Sequence, residues 1–426
     1  MHCPIPARRR LERCDVSDRL LHAVSLPAAG GLIEGSPGVL YSQADGTVIF
    51  SLTTKGVITY LATIQDPPYI LESVPVGAAN GLLYASYESV SNTGGSANVF
   101  SVGAGGGMQV YPAQSLPISF SQNLPEGTLL GTAYQFSNAL WDVARSDLAG
   151  NVTSVYQFTP TESAHSPYAP IYATDGNYYG LAALEDGSGY VYRLTPSGSI
   201  TTLYSFPPYS FGQSAVLLQG RDGNLYGITS TGGANQSGTV YKVTMSGQYT
   251  LLYTFPKSHG RIADNLIEGS DGELYGSTVD GGASLLFRVS KAGRYEELYR
   301  MNNASTDGEC GCALLQGSDG IIYGTTIAGG PNGGSSVFAL DAGLPKPAPQ
   351  ALEFRPKTGP AGTKVQIWGY NLLSATVEFN GLAAADVSNS GSNYVRATVP
   401  AGATSGPITV TTPGDMDLTR ERFTVR

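Results

Sequence analysis

A few residues stand where chemistry could be done. His165 and His259 are groups that titrate near neutrality, suited to metal ligation or proton transfer. Asp307 and Glu309 lie just before Cys310-Gly311-Cys312, two thiols close enough to form a strained disulfide, act in redox or stay inert. No second pair completes a zinc site of the usual spacing. Tyr209 and Phe211 could stack on a sugar or a peptide. Asp175, Asp222, Asp271 and Asp319 each precede a glycine, which raises the question of calcium. Calcium needs several oxygen donors close together, whereas these stand one per repeat, as a turn alone would demand. No GxSxG, HExxH or paired-carboxylate spacing is present. No catalytic residue, metal or cofactor is therefore assigned. His165, Tyr209, Phe211, His259, Asp307 and Glu309 form the candidate ligand-binding set, with Cys310 and Cys312 as a candidate disulfide.

These residues are placed by a repeat. Residues 220–233 read GRDGNLYGITSTGG, and DGNYYG, DGELYG and DGIIYG recur at 175–180, 271–276 and 319–324. Degenerate copies PGVLYS, NGLLYA and EGTLLG fall at 37–42, 80–85 and 126–131. Aligned on the tyrosine, Tyr41, Tyr84, Leu130, Tyr179, Tyr226, Tyr275 and Tyr323 are spaced 43, 46, 49, 47, 49 and 48 residues. Such a period, with several short strands per unit, predicts β-propeller blades. In the unit around Tyr226, residues 215–219, 225–229, 238–244 and 249–255 read as four strands. Asp222-Gly223 reads as a two-residue hairpin turn with positive φ at both positions.

Third strands are expected seven times, at 47–52, 98–102, 140–144, 190–194, 239–243, 285–289 and 336–340. Fourth strands are expected six times, at 57–64, 109–116, 152–158, 200–206, 249–255 and 295–300. The missing one is found at the other end, where residues 20–25 (LLHAVS) match LLYTFP of 251–256. The fold expected is all-β: a seven-bladed propeller whose N-terminal strand closes the last blade and removes an open edge. The loops from one outer strand to the next inner strand share an end of the ring with those following each second strand. The candidate set falls there, with Gly232-Gly233, Gly281-Gly282 and Gly329-Gly330, while Cys14 is expected toward the opposite face.

Composition agrees with many short strands and tight turns. The 426 residues include 55 glycines, 26 prolines and 26 tyrosines, and only 13% are charged. No run of 18 apolar residues is present, so no transmembrane segment is expected. A net charge of −9 argues against a nucleic-acid partner. The start, MHCPIPARRRLERCDV, has arginines but no apolar run after them, so no signal peptide is expected. Residues 1–17 read as a flexible basic tail, with a misplaced start codon or a basic binding arm as alternatives.

The pattern DGxLYGTT…GG…GTVFxL…LYxF is similar to the GloVer repeat of bacterial surface or secreted proteins, most closely at 222–255 and 319–340. The resemblance covers most of residues 30–343 and weakens in the first three units, where the Asp-Gly pair is lost. It implies a secreted or surface location and brings no catalytic residues. With the orphan strand included, the propeller spans 18–343. A proline-rich linker, LPKPAPQ, follows at 344–350. From 351 to 426 apolar residues alternate at Val365/Ile367, Val377/Phe379, Val395/Ala397/Val399, Ile408/Val410 and Phe423/Val425, predicting a small β-sandwich. Gly359-Pro360-Ala361-Gly362-Thr363, VEFNG at 377–381 and VPAGATSGPITVTT at 399–412 resemble the IPT/TIG immunoglobulin-like fold. This domain carries seven Lys/Arg and six Asp/Glu, a balance of 7 − 6 = +1 without a phosphate footprint. The expectation is a non-catalytic, monomeric surface-binding protein for a carbohydrate or protein ligand. The alternative is a propeller lyase or hydrolase acting on a carbohydrate or other polymer through His165, His259 or nearby acids, which must converge on one reacting centre.

Overall fold

The computed structural model describes residues 31–44, 47–64, 69–71, 75–78, 80–89, 96–112, 118–135, 138–159, 167–212, 216–259, 261–279, 284–301, 313–326, 336–389 and 391–426. The orphan strand expected at 20–25 and Cys14 lie outside the described residues. Up to residue 340 the described strands form seven successive antiparallel sheets, six with four or more strands and a last one with three. Third strands are found at Val48–Thr53, Ser96–Val102, Leu140–Ser146, Gly189–Leu194, Thr239–Val243, Leu285–Val289 and Val337–Leu340. Outer strands are found at Ile58–Thr63, Met108–Pro112, Val152–Gln157, Ile200–Phe206, Tyr249–Thr254 and Tyr295–Arg300. The second sheet departs from the pattern: its inner strand comes as Tyr69–Leu71 and Val76–Gly77, both paired with Leu83–Ser89. Among the described residues no helix is long and apolar enough to cross a membrane.

The middle strands are buried on both sides because a neighbouring sheet covers each face. All six residues of Tyr178–Ala183 and all five of Leu285–Val289 are buried. Each seam between successive sheets holds its own apolar cluster. Leu83 and Phe100 of the second sheet meet Tyr41 and Ile49 of the first. Tyr323 and Val337 of the last sheet meet Leu40, Phe50 and Leu52 of the first, so the series returns on itself. Outer-strand tyrosines add to the seams, with Tyr204 stacked on Tyr249 at 4.1 Å and Tyr253 on Tyr295 at 4.5 Å.

A polar ladder runs beside the apolar one. Gln219, Glu268 and Gln316 end the inner strands of three sheets and Glu34 lies within that of the first, and each accepts a backbone N–H from the turn of the sheet before it. The donors are Thr174 to Gln219 (2.9 Å), Arg221 to Glu268 (2.8 Å) and Ser270 to Gln316 (2.8 Å). Ser318 gives its N–H to Glu34 at 2.7 Å and its hydroxyl at 2.8 Å, joining residues 284 positions apart.

Beyond Leu340 the chain leaves the pattern and builds two further sheets. One orders Gln350–Arg355, Lys364–Tyr370, Tyr394–Thr398 and Asp386–Asn389; the other contains Thr376–Phe379, Gly406–Thr411 and Met416–Val425. Their facing sides bury Phe354, Val365, Ile367 and Val395 with Val377, Phe379, Ile408, Val410 and Phe423, the alternating positions of the sequence.

Candidate functional site

The sheets present two ends, and the repeat motif builds one of them. In residues 220–224 the Gly220 N–H bonds the Asn224 carbonyl and the Gly223 N–H bonds the Gly220 carbonyl. Only Gly223 has positive φ (82°), so the turn is a three-residue loop ending in a left-handed glycine. This corrects the two-residue hairpin expected with positive φ at both Asp222 and Gly223. The extra residue lets Asp222 keep an ordinary backbone and aim its carboxylate back at the turn. Its Oδ1 accepts the Asn224 N–H at 3.2 Å and its Oδ2 accepts the Tyr226 hydroxyl at 2.7 Å. The same Asp–Tyr pair recurs at Asp175–Tyr179, Asp271–Tyr275 and Asp319–Tyr323, at 2.7–2.8 Å. Burial raises the Asp222 pKa, but the hydrogen bonds from Tyr226 and Asn224 and the Lys291 charge outweigh it, leaving the group below the usual carboxylate range. Gly227 must be glycine because the Tyr241 ring lies where its Cβ would stand. These aspartates therefore serve as turn caps and tyrosine acceptors. Among the described residues no three His, Cys, Asp or Glu gather as a metal set.

The sandwich docks on this hairpin end. The Trp368 indole donates to Asn123 Oδ1 at 3.0 Å, and Gln122 Nε2 donates to the Tyr370 hydroxyl at 2.9 Å. Tyr172 meets Trp368 edge-on at 5.3 Å and donates to Glu353 at 3.4 Å. The linker is held on the same end, where Pro345 O accepts from Ser270 Oγ (2.6 Å) and Gln316 Nε2 (3.1 Å). Tyr172 occupies the strand-end position that is Gln or Glu in the ladder. Where the sequence reads YATDG instead of QGRDG, the sandwich supplies the partner.

Of the candidate set, Tyr209, Phe211 and His259 belong to the other end of the strands. Tyr209 is 75% exposed there, with a left-handed backbone (φ 60°) held by its N–H to the Asp186 carbonyl at 3.2 Å. Phe211, placed with it as a stacking surface, is fully buried against Phe206, Tyr168 and Tyr241. It is a packing residue between the fourth and fifth sheets, where its ring joins their shared apolar cluster while its N–H bonds the Gly187 carbonyl. His259 ends a 3-10 turn, Lys257–His259, at this end. His165, Asp307, Glu309, Cys310, Cys312 and the glycines at 281, 282, 329 and 330 lie outside the described residues. Trp141, outside the candidate set, is half-buried with its ring 5.0 Å from Tyr134 at this loop end. Beside it, buried Asp142 accepts from Gln135 (2.8 Å) and Gln157 (3.2 Å). Its signal was scarcity, since the chain has two tryptophans and the other, Trp368, joins the domains.

The ring of antiparallel sheets defines a propeller-like protein, and solved structures share that fold. A catalytically inactive virginiamycin B lyase from Staphylococcus aureus, solved with quinupristin, is 14% identical with a TM-score of 0.52, covering 74% of this chain and 98% of its own. An oligogalacturonate lyase in complex with manganese is 14% identical with a TM-score of 0.50, covering 73% and 89%. Identity this low speaks for the fold alone. Residues 166–346 match the family model of the Gloeobacter/Verrucomicrobia repeat, which supports the repeat family resembled by the sequence. No curated protein sequence matches the chain.

Proposed function

We propose that the chain is a non-catalytic binding protein of the bacterial surface or exterior, working as a monomer. Residues 18–343 make a seven-bladed propeller, and residues 20–25 complete its three-stranded last sheet. Residues 344–350 are a linker, and residues 351–426 an IPT/TIG immunoglobulin-like domain that docks or spaces the ring. A carbohydrate or protein ligand binds the loop end, which lies at the far end of the strands from the docked sandwich.

Tyr209 carries this reading. A bulky residue held left-handed costs about 1–2 kcal/mol relative to glycine, yet the large exposed ring is kept there. Strain of this kind collects at ligand-contacting positions. A glycan array with the full chain, followed by product analysis of any bound glycan, is the test. Binding without turnover, weakened in Tyr209→Gly while its melting temperature is unchanged or raised, is expected. Turnover abolished by substituting His165 or His259 would overturn it in favour of a lyase or hydrolase.

A further inference from the structure

One face of the sandwich is only partly used by the docking. Phe354, Val365, Ile367 and Val395 point into the core, so strand alternation turns Glu353, Arg355, Lys364, Gln366 and Arg396 outward. At one end Trp368 and Tyr370 close this outer face against the propeller. At the other it opens into a groove of about 620 Å³ lined by Glu353, Arg355, Pro356, Lys357, Lys364 and Gln366. Arg355 stands opposite Gln366, and Gln366 opposite Arg396. Two guanidinium groups thus flank one carboxamide across two strand spacings, about 10 Å in all. Four of the seven Lys/Arg of residues 351–426 gather here, in a chain of net charge −9.

Their neighbours leave charge to spare, since Glu126 of the propeller, whose charge reaches Arg355, is itself paired with Arg145 at 3.3 Å. Glu353 takes Arg355 at 2.8 Å and Glu421 takes Lys357 at 2.5 Å. Asp386 lies on the edge strand, opposite Thr398. Among the described ion pairs, Lys364 and Arg396 have no carboxylate partner. Gln366 Oε1 accepts the Tyr394 hydroxyl at 2.8 Å, so its amide hydrogens are the end left to give.

We propose that this groove binds the carboxylate or sulfate groups of an acidic polysaccharide. Lys364 and Arg396 supply the charge, and Gln366 donates to a sugar hydroxyl. Single-stranded nucleic acid fits less well, because it relies on exposed rings for base stacking. The rings here are already covered: Trp368 and Tyr394 are each 1% exposed, and Phe354 lies beneath the Lys357 ammonium at 4.3 Å. The site is separate from the loop end and stands whether or not a ligand binds there.

The test is affinity of the full chain for polygalacturonate, heparin, uncharged dextran and an oligonucleotide of matched charge, at low and raised salt. Binding to one of the two acidic glycans, none to dextran and a fall with salt are expected, the preferred glycan telling carboxylate from sulfate. The double variant Lys364→Gln/Arg396→Gln should keep its melting temperature and lose about tenfold or more in affinity, while Lys364→Arg/Arg396→Lys retains most of it. No binding to either acidic glycan, unchanged affinity in the folded double variant, or equal binding to the oligonucleotide would overturn the proposal.

Discussion

The aspartate of each hairpin shows how much one side chain can organise. Asp222 caps its turn with one oxygen and anchors Tyr226 with the other, so the pair orders both the turn and the seam behind it. The Asp-Gly spelling marks these aspartates as turn residues, and the structure adds the tyrosine as their second partner. Two other tyrosines fare differently. The hydroxyls of Tyr192 and Tyr241 are buried, above Gly180 and Gly227, with no hydrogen-bond partner among the described residues. Phe287 and Phe338 cover Gly276 and Gly324 in the same way without a hydroxyl. Burying an unsatisfied hydroxyl costs about 1–3 kcal/mol. Tyr241→Phe should therefore raise stability by about 1 kcal/mol, read as a higher urea midpoint at unchanged slope. A fall would mean that the hydroxyl has a partner.

At the scale of elements, the inner-strand ends decide how one sheet meets the next. The Gln/Glu ladder is legible in hindsight as LIEGSPG, LLQGRDG, LIEGSDG and LLQGSDG at 32–38, 217–223, 266–272 and 314–320. Periodicity alone did not reveal it, because the acceptor and its donor lie one repeat apart or, for Glu34 and Ser318, at opposite ends of the chain. Glu34→Ala removes the acceptor of two Ser318 bonds and of the Gly38 N–H at 2.8 Å. The expected loss is about 2–3 kcal/mol, measured by urea unfolding. Glu268→Ala offers a comparison at an interior seam, where the first and last sheets are not involved.

Across the whole molecule, burial of phenols links the fold to alkaline pH. Burial and the nearby Tyr204 push Tyr249 up to about 12. Burial likewise raises Tyr370 and Tyr394 to about 12, against the smaller opposing effects of Gln122 and Arg396. In the unfolded chain these groups titrate near 10. Their contribution is therefore fully present below about pH 10 and is lost as pH climbs from there to about 12. The melting temperature should begin to drop near pH 10, with much of the tyrosinate absorbance appearing only as the structure unfolds. Full tyrosinate absorbance in a chain that stays folded would contradict the burial assigned to these rings.

The period, the positions of the described strands and the residue types at each turn were legible in the sequence, because glycine's freedom at positive φ and side-chain alternation are local properties. The alternating apolar positions of residues 351–426 were legible for the same reason. That Phe211 is packing while Tyr209 is exposed was not legible, since both bond the 186–187 turn and it is the left-handed backbone at Tyr209 that sets the two rings apart. Nor was it legible that Trp368, Tyr370 and Tyr172 join the two domains, through bonds between residues 181 to 248 positions apart. The near-neutral charge of the C-terminal domain likewise concealed its basic groove. A sum over a chain says nothing of which strands lie side by side, and that adjacency sets the local field.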